Sequence, residues 1–312
     1  MDKIICVAGP TASGKTALAV ELAKLTDGEV VSCDSMQVYR RMDIGTAKPT
    51  HEEMDGIPHH MLDVAEPDED FSVSRYCEMA TPILEDILAR GKTAIVAGGT
   101  GLYMDALIRG NDFAPFPSTG MRERLEAQAD AEGMESMLSL LCSIDPVAAE
   151  KLHLADRKRI IRALEVWYET GQTITAHNLK TQAIPPRFQP LWLGLDFENR
   201  QDLYDRIDRR VGIMLEQGLV DEIRALLQSG VPEKCTAMQA IGYKEFVAAL
   251  RGDMTIEEAA DDVRKASRHY AKRQLTWFRR NKAMHCLPEA ALRGKFLPGP
   301  DSLFGKSTTE KC

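Results

Sequence analysis

No apolar run in the 312 residues approaches the roughly 20 that a membrane-spanning helix requires. Met1-Asp2-Lys3 is followed by no apolar leader with a small-residue cleavage site, so a cytoplasmic chain without a membrane association is expected. Cysteine lacks pattern: Cys6, Cys33, Cys77, Cys142, Cys235, Cys286 and Cys312 are scattered, odd in number and without a CxxC pair. That favours reduced thiols over a disulfide framework or a cysteine zinc site. Positive charge is in deficit, with a net charge of −8. This argues against a uniform coat of nucleic acid, though not against a local basic groove. Internal repeats and low-complexity tracts are also missing, which leaves one large globular domain or two.

Near the start stands Gly9-Pro10-Thr11-Ala12-Ser13-Gly14-Lys15-Thr16, which meets the pattern GxxxxGK[ST] at every fixed position. An apolar run at 4–8 precedes it, and 17–25 follows with Leu18, Leu22 and Leu25 on one helical face. The motif thus has the strand–loop–helix setting its chemistry needs. Its glycines let backbone N–H groups crowd a phosphate, and the helix adds its positive N-terminal end. Lys15 is expected to reach the terminal phosphate oxygens, and the Thr16 hydroxyl to ligate a Mg²⁺ bridging them.

Apolar runs at 4–8, 29–33 and 93–97 alternate with helical patterns at 17–25 and 73–90, the second opened by Ser72 as N-cap. Buried strands alternating with helices specify a parallel sheet, whose ligands sit at the carboxyl ends of the strands. There stand the phosphate loop, Asp34-Ser35 and Gly98-Gly99-Thr100-Gly101, expected to face one cleft. Between Phe113-Ala114-Pro115-Phe116-Pro117 and Ile184-Pro185-Pro186 only helices are read, at 121–131, 135–143, 146–152 and 156–169. A strand at 190–196 returns to the sheet, and helices at 200–228, 237–250 and 256–280 follow. The expected fold is α/β, a P-loop NTPase-like parallel sheet with an inserted all-helical domain and C-terminal helices. Residues 1–112 and 187–296 form the core, 113–186 the insertion, and 297–312 a flexible tail rich in Pro, Gly, Ser and Thr.

A Walker-B aspartate is absent: the run at 93–97 ends in Gly98-Gly99-Thr100. A motor or switch ATPase is therefore disfavoured, while a small-metabolite kinase stays open. Asp34 faces the phosphate loop, where a carboxylate repels the anion. Its useful tasks are accepting a proton from a nucleophile or contacting Mg²⁺ through water; the alternative is a helix N-cap. The Gly98-to-Gly101 turn offers backbone donors and a hydroxyl to growing negative charge, or is simply a strand-to-helix turn. Arg206, Arg209 and Arg210 are either surface ion pairs or a diphosphate clamp. Arg157, Lys158, Arg159 and Arg162 crowd one helix start, where the macrodipole disfavours them. From Arg264 to Lys282 eight cations occur without one Asp or Glu, interleaved with Tyr270, Trp277 and Phe278. That segment is a candidate nucleic-acid surface, or a solvated helix paired with acids elsewhere.

Several motifs in order, from about residue 4 to 290, resemble the bacterial tRNA dimethylallyltransferases, also called tRNA isopentenyltransferases. Besides the phosphate loop they are Asp34-Ser35-Met36-Gln37-Val38-Tyr39, Met42-Asp43-Ile44-Gly45-Thr46-Ala47-Lys48-Pro49, Pro58-His59-His60-Met61-Leu62-Asp63 and Gly98-Gly99-Thr100-Gly101-Leu102-Tyr103. Arg162-Ala163-Leu164-Glu165-Val166, Ala240-Ile241-Gly242-Tyr243-Lys244-Glu245 and Lys272-Arg273-Gln274-Leu275-Thr276-Trp277-Phe278-Arg279 complete the set. The resemblance implies transfer of a dimethylallyl group from dimethylallyl diphosphate to N6 of adenosine 37 in tRNA. It implies that Lys15 and the loop amides hold the diphosphate, Thr16 the Mg²⁺, and that Thr100 and Arg210 also contact the diphosphate. Asp34 would take the N6 proton. Contacts to tRNA would fall on Asp34, Ser35, Met36, Gln37, Thr100, Arg122, Lys158, Arg159, Ile160, Ile161 and Arg162. Gln239, Ala240, Ile241, Gly242, Tyr243 and Lys244 would join them, with Lys272, Arg273, Gln274, Leu275, Thr276, Trp277, Phe278 and Arg279. No membrane and no protein partner is expected, and a monomer is the default. The competing readings are a dimethylallyltransferase acting on free adenine nucleotide, a small-metabolite kinase, and a non-catalytic RNA-binding module.

Overall fold

The structure, a computed structural model, describes residues 2–110 and 119–288. The first half reads β1 (Asp2–Ala8), α1 (Lys15–Thr26), β2 (Gly28–Ser32), α2 (His51–Met54), β3 (His59–His60), α3 (Val73–Ala89), β4 (Thr93–Gly98) and α4 (Gly101–Arg109). Then come α5 (Met121–Glu132), α6 (Met134–Ile144), α7 (Pro146–Ala149), α8 (Arg157–Thr170) and α9 (Ile174–Ala183). The chain continues with β5 (Phe188–Asp196), α10 (Arg200–Glu216), α11 (Leu219–Gln228), α12 (Lys244–Arg251), α13 (Ile256–Phe278) and β6 (Met284–Pro288).

The six strands form one parallel sheet in the order β3-β2-β4-β1-β5-β6. The central strands are apolar runs because both faces are covered; Ile5, Val7, Ile95 and Leu193 pack against Leu18 and Leu22 of α1. Gly28 is required in β2, since a Cβ there would lie 2.8 Å from the Thr93 carbonyl of β4. Ser72 caps α3 as expected, its hydroxyl accepting from Arg75 N at 3.2 Å.

The chain divides into two compact units, one of residues up to Ile108 together with those from Arg187 onward, the other Arg109–Pro186. The second unit is helical. Its core gathers Leu125, Met137, Leu141, Ile160, Ile161 and Leu164. Buried Asp145 ties α7 to α9, accepting from Ala148 N at 3.1 Å, Thr175 N at 2.9 Å and Thr175 Oγ1 at 2.8 Å. The stretch from 113 to 117 and the tail at 297–312 lie outside the described residues.

Four local expectations are corrected. The single helix read over 200–228 is two, because Gly218 adopts φ +96° between α10 and α11. The helix read over 237–250 starts only at Lys244; a 3₁₀ turn, Ala237–Gln239, precedes it. The two-residue edge strand β3 and the five-residue strand β6 are too short for an apolar pattern to reveal them, and α9 lacks a continuous apolar stripe. Asp34 opens a turn and not a helix. Among the described residues no helix is long and apolar enough to cross a membrane.

Candidate active site

The phosphate loop leaves β1 and closes on α1 through Gly14, whose φ of +93° only glycine adopts without strain. Gly9 lets the loop fold tightly, because a Cβ there would sit 3.2 Å from the Leu195 carbonyl. The Lys15 ammonium donates to the Pro10 carbonyl at 2.6 Å. Ser13 is buried, and its hydroxyl has no partner among the described residues. A buried orphan hydroxyl inside a cradle of amides suits an anionic ligand that supplies the missing acceptor. Not every loop amide is free: Thr11 lines the cavity, but its N–H donates to Gln274 Oε1 at 2.8 Å.

Asp34 follows β2. Its Oδ1 accepts from Met36 N at 2.9 Å and Gln37 N at 3.4 Å, so one oxygen holds a turn and Oδ2 remains for the pocket. Beside it the turn after β4 is packed too closely for side chains. A Cβ on Gly98 would lie 2.0 Å from the Cys33 carbonyl, and one on Gly99 2.1 Å from Gln274 Nε2. Thr100 Oγ1 accepts from Ser35 N at 3.1 Å and lies 3.4 Å from Ser35 Oγ. Its hydroxyl therefore steadies the Asp34-Ser35 turn, which is a different task from the diphosphate contact the resemblance implies. Gln274 joins the two loops: while its Oε1 takes Thr11 N–H, its Nε2 donates to the Gly99 carbonyl at 3.0 Å.

These parts surround a cavity of about 200 Å³ lined by Ser13, Lys15, Thr16, Asp34, Gln37, Arg210, Tyr270 and Glu53. It adjoins a wider recess of about 700 Å³ in which Arg206, Arg209 and Arg210 of α10 face Asp43, Ile44, Ala47 and Glu53. Of the two readings of the α10 arginines, the structure thus places them at the cleft. Tyr270 and Glu53 carry no motif of their own. The sequence marks Tyr270 only as an aromatic within the basic segment; its place one turn before Gln274 on α13 is what brings it to the cavity. Burial and then the Asp34 charge push its phenol up to about 12, so it remains a hydrogen-bond donor at neutral pH.

Burial lowers Lys15 to about 8, with Arg210 adding to the drop and Asp34 opposing it. An anion binds the protonated form better, so binding raises this value and takes up protons near pH 8. Affinity for a diphosphate should be flat below that pH and weaken above it, approaching tenfold per pH unit where Lys15 alone titrates. Calorimetry in buffers of differing ionisation enthalpy should detect the proton uptake, and Lys15→Met should abolish it. Uptake that persists in that variant would assign it to another group.

Thr16 and Asp34 on the cavity wall are the residues that would hold a Mg²⁺; among the described residues no cluster of three or more His, Cys, Asp or Glu could hold a metal. One hydroxyl and one carboxylate fit an ion held mainly by diphosphate oxygens and water, as Mg²⁺ usually is.

The residues for which tRNA contacts are implied separate by burial. Arg122, Lys158, Arg159, Gln239, Lys244, Lys272, Arg273, Thr276 and Arg279 are exposed, and Ala240, Ile241, Leu275 and Trp277 half-buried. By contrast, Ile160 and Ile161 lie in the core of the helical unit, and Gly242, Tyr243, Gln274 and Phe278 are buried. The buried side chains shape the surface and do not present one, which corrects their reading as a contact face. The basic segment divides likewise. Arg268 pairs with Asp208 at 2.6 Å and Arg279 with Asp196 at 2.9 Å, whereas Lys272 and Arg273 are exposed, Arg273 with its guanidinium 5.5 Å from the Tyr270 ring centroid. On α8, Arg157 pairs with Glu126 at 2.7 Å and Arg162 with Glu165 at 2.8 Å, which relieves the unfavourable crowding of cations at that helix start.

A model of the IPP transferase family matches residues 37–281. The tRNA dimethylallyltransferase of Acetivibrio thermocellus is 46% identical over 281 residues, which is 90% of each chain. Among solved structures, the tRNA isopentenylpyrophosphate transferase of Bacillus halodurans superposes with a TM-score of 0.69 at 43% identity, covering 93% of this chain and 90% of its own. A eukaryotic dimethylallyltransferase acting on tRNA superposes with a TM-score of 0.80 at 31% identity, covering 94% and 75%. Likeness of this degree over most of the chain makes it a member of the IPP transferase family.

Proposed function

We propose that this enzyme transfers a dimethylallyl group from dimethylallyl diphosphate to N6 of adenosine 37 in tRNA, releasing diphosphate. The observation that carries the reading is the convergence on one small cavity of an anion cradle with an unpartnered Ser13 hydroxyl, Lys15, Arg210 and Asp34. A cradle without a Walker-B carboxylate suits a reaction whose leaving group is the diphosphate itself and in which no nucleotide is hydrolysed.

Ionising the allylic C–O bond leaves cationic character on carbon and negative charge on the diphosphate. Loop amides, the Ser13 hydroxyl, Lys15 and Arg210 are preorganised to receive that charge. Mg²⁺ at Thr16 would add Lewis-acid stabilisation of the same oxygens. The N6 amine is a weak nucleophile because its lone pair is delocalised into the purine. Asp34 Oδ2 orients it and accepts its proton as the C–N bond forms. The adenine must leave the anticodon-loop stack to reach the cavity, which costs a few kcal/mol.

The helical unit supports tRNA over a free nucleotide as acceptor. It carries its own recess of about 720 Å³ edged by Arg122, Lys151, Lys158, Arg159 and Arg162, a cationic groove that a mononucleotide does not need. A cytoplasmic location and a monomeric state belong to the same proposal.

Incubation with labelled dimethylallyl diphosphate, Mg²⁺ and either unmodified tRNA or free AMP, ADP or ATP tests it. Label is expected in tRNA and released after digestion as a modified adenosine. Label in the free nucleotides alone would replace this reading with the adenylate transferase.

A further inference from the structure

The wall of the donor recess opposite α10 is the loop from Asp43 to Lys48, and a single carboxylate holds it from behind. Glu222 of α11 accepts from Asp43 N and Ile44 N at 2.8 Å each with Oε2, and from Gly45 N at 3.2 Å with Oε1. The buried Tyr243 phenol completes the set, donating to Glu222 Oε1 at 2.7 Å. Four donors on one carboxylate saturate it, and charge-assisted bonds of this kind are about twice as strong as neutral ones. Tyr243 also fixes how closely the loop approaches, because a Cβ on Gly45 would lie 2.5 Å from its ring.

The far side of the same loop reaches the chemistry. The Thr46 and Ala47 carbonyls accept from Gln37 Nε2 at 3.3 and 3.0 Å, and Gln37 N in turn bonds Asp34 Oδ1 at 3.4 Å. Lys48 pins the loop's end, bonding the Tyr39 carbonyl at 2.8 Å and the Asp43 and Asp63 carboxylates at 2.6 Å each. A loop without regular structure is thus tied at every peptide that faces the recess.

We propose that Glu222, buttressed by Tyr243, is a positioning residue that sets the width of the diphosphate-donor recess by holding the Asp43–Lys48 loop against the phosphate cradle. The inference rests on the donor assignment above. Glu222 touches no substrate; it acts through the loop, and displacement of such a wall by an ångström costs about 10²-fold at most.

The test is Glu222→Gln, which keeps the shape but removes the charge and turns one acceptor into a donor facing N–H groups. The Kd for inorganic diphosphate and the KM for dimethylallyl diphosphate should both rise about tenfold, with kcat within about threefold and tRNA affinity within about twofold. Tyr243→Phe added to Glu222→Gln should change little further, because Tyr243 acts through the missing carboxylate. Gly45→Ala, which displaces the loop without altering Glu222, should reproduce the rise in KM and serves should Glu222→Gln not fold. Wild-type diphosphate affinity in a folded Glu222→Gln or Gly45→Ala variant would overturn the proposal. So would a rise in KM accompanied by equal losses of kcat and tRNA affinity that track the fall in melting temperature. Should wild-type protein bind diphosphate but prenylate no tRNA, the reaction assignment falls, while the diphosphate measurement still decides the role of Glu222.

Discussion

Asp34→Asn is expected to lower kcat by about 10²–10⁴-fold while the melting temperature and tRNA affinity stay near wild type. The structure makes Asn the informative replacement. Asp34 Oδ1 serves the turn through Met36 N and Gln37 N, and an amide oxygen accepts those bonds equally. What Asn lacks is the second carboxylate oxygen, which the turn bonds do not use. Asp34→Ala removes both functions and should add a loss of about 1 kcal/mol in stability, as for a missing side-chain cap. A second consequence follows from the charge. Asp34 holds the Lys15 pKa up against burial and Arg210, so Asn at this position should let it fall below about 8. The pH at which diphosphate affinity begins to weaken should move down accordingly. Full turnover by the Asn variant, with a defect only in the Ala variant, would reduce Asp34 to a turn residue.

Gln274→Met should lower kcat/KM for dimethylallyl diphosphate by about 10²-fold and leave tRNA affinity within about twofold. Both ends of the Gln274 amide are committed to protein, the oxygen to Thr11 N–H and the nitrogen to the Gly99 carbonyl. Methionine fills the same volume and satisfies neither. Each buried group left unpaired costs about 1–3 kcal/mol, which the loops escape only by moving apart. For a chain of this size the melting temperature should drop by several degrees. Gln274→Glu separates packing from polarity: it still accepts from Thr11 but repels the Gly99 carbonyl and adds negative charge beside the anion cradle. Its donor KM should be worse than that of Met. A loss of tRNA affinity with unchanged donor kinetics would return Gln274 to the RNA surface where the sequence resemblance places it.

The contrast between these residues shows what each kind of reading reaches. Lys15, Thr16 and Asp34 were legible because their chemistry depends on local chain geometry: a glycine loop at a strand end, and a carboxylate after the neighbouring apolar run. Gln274 was visible only as part of a basic helix. Nothing within the 264–282 segment says that one face of α13 passes behind the phosphate loop, since Thr11 is 263 positions away. Thr100 is a mixed case. Its hydroxyl stands at a phosphate-facing turn in the sequence, and the fold adds a bond accepted from Ser35 N that the sequence does not record. Ile160, Ile161 and Tyr243 stand in motifs that suggest contact surfaces, and burial takes them out of reach.

Local order alone determined the parallel α/β core, the cradle, the helical character of the segment before residue 187 and the family resemblance. Those properties depend on hydrophobic period and on short-range backbone geometry, which a linear sequence records directly. The tertiary structure alone decided which polar groups are already spent. It closed the Thr11 amide with Gln274, left Ser13 Oγ open, paired Arg264, Arg268 and Arg279 of the basic segment with acids, and put Glu222 behind the donor wall. The physical reason is that a hydrogen bond or ion pair is satisfied once, by whichever partner the fold brings within about 3 Å, and that partner lies at an unpredictable distance along the chain.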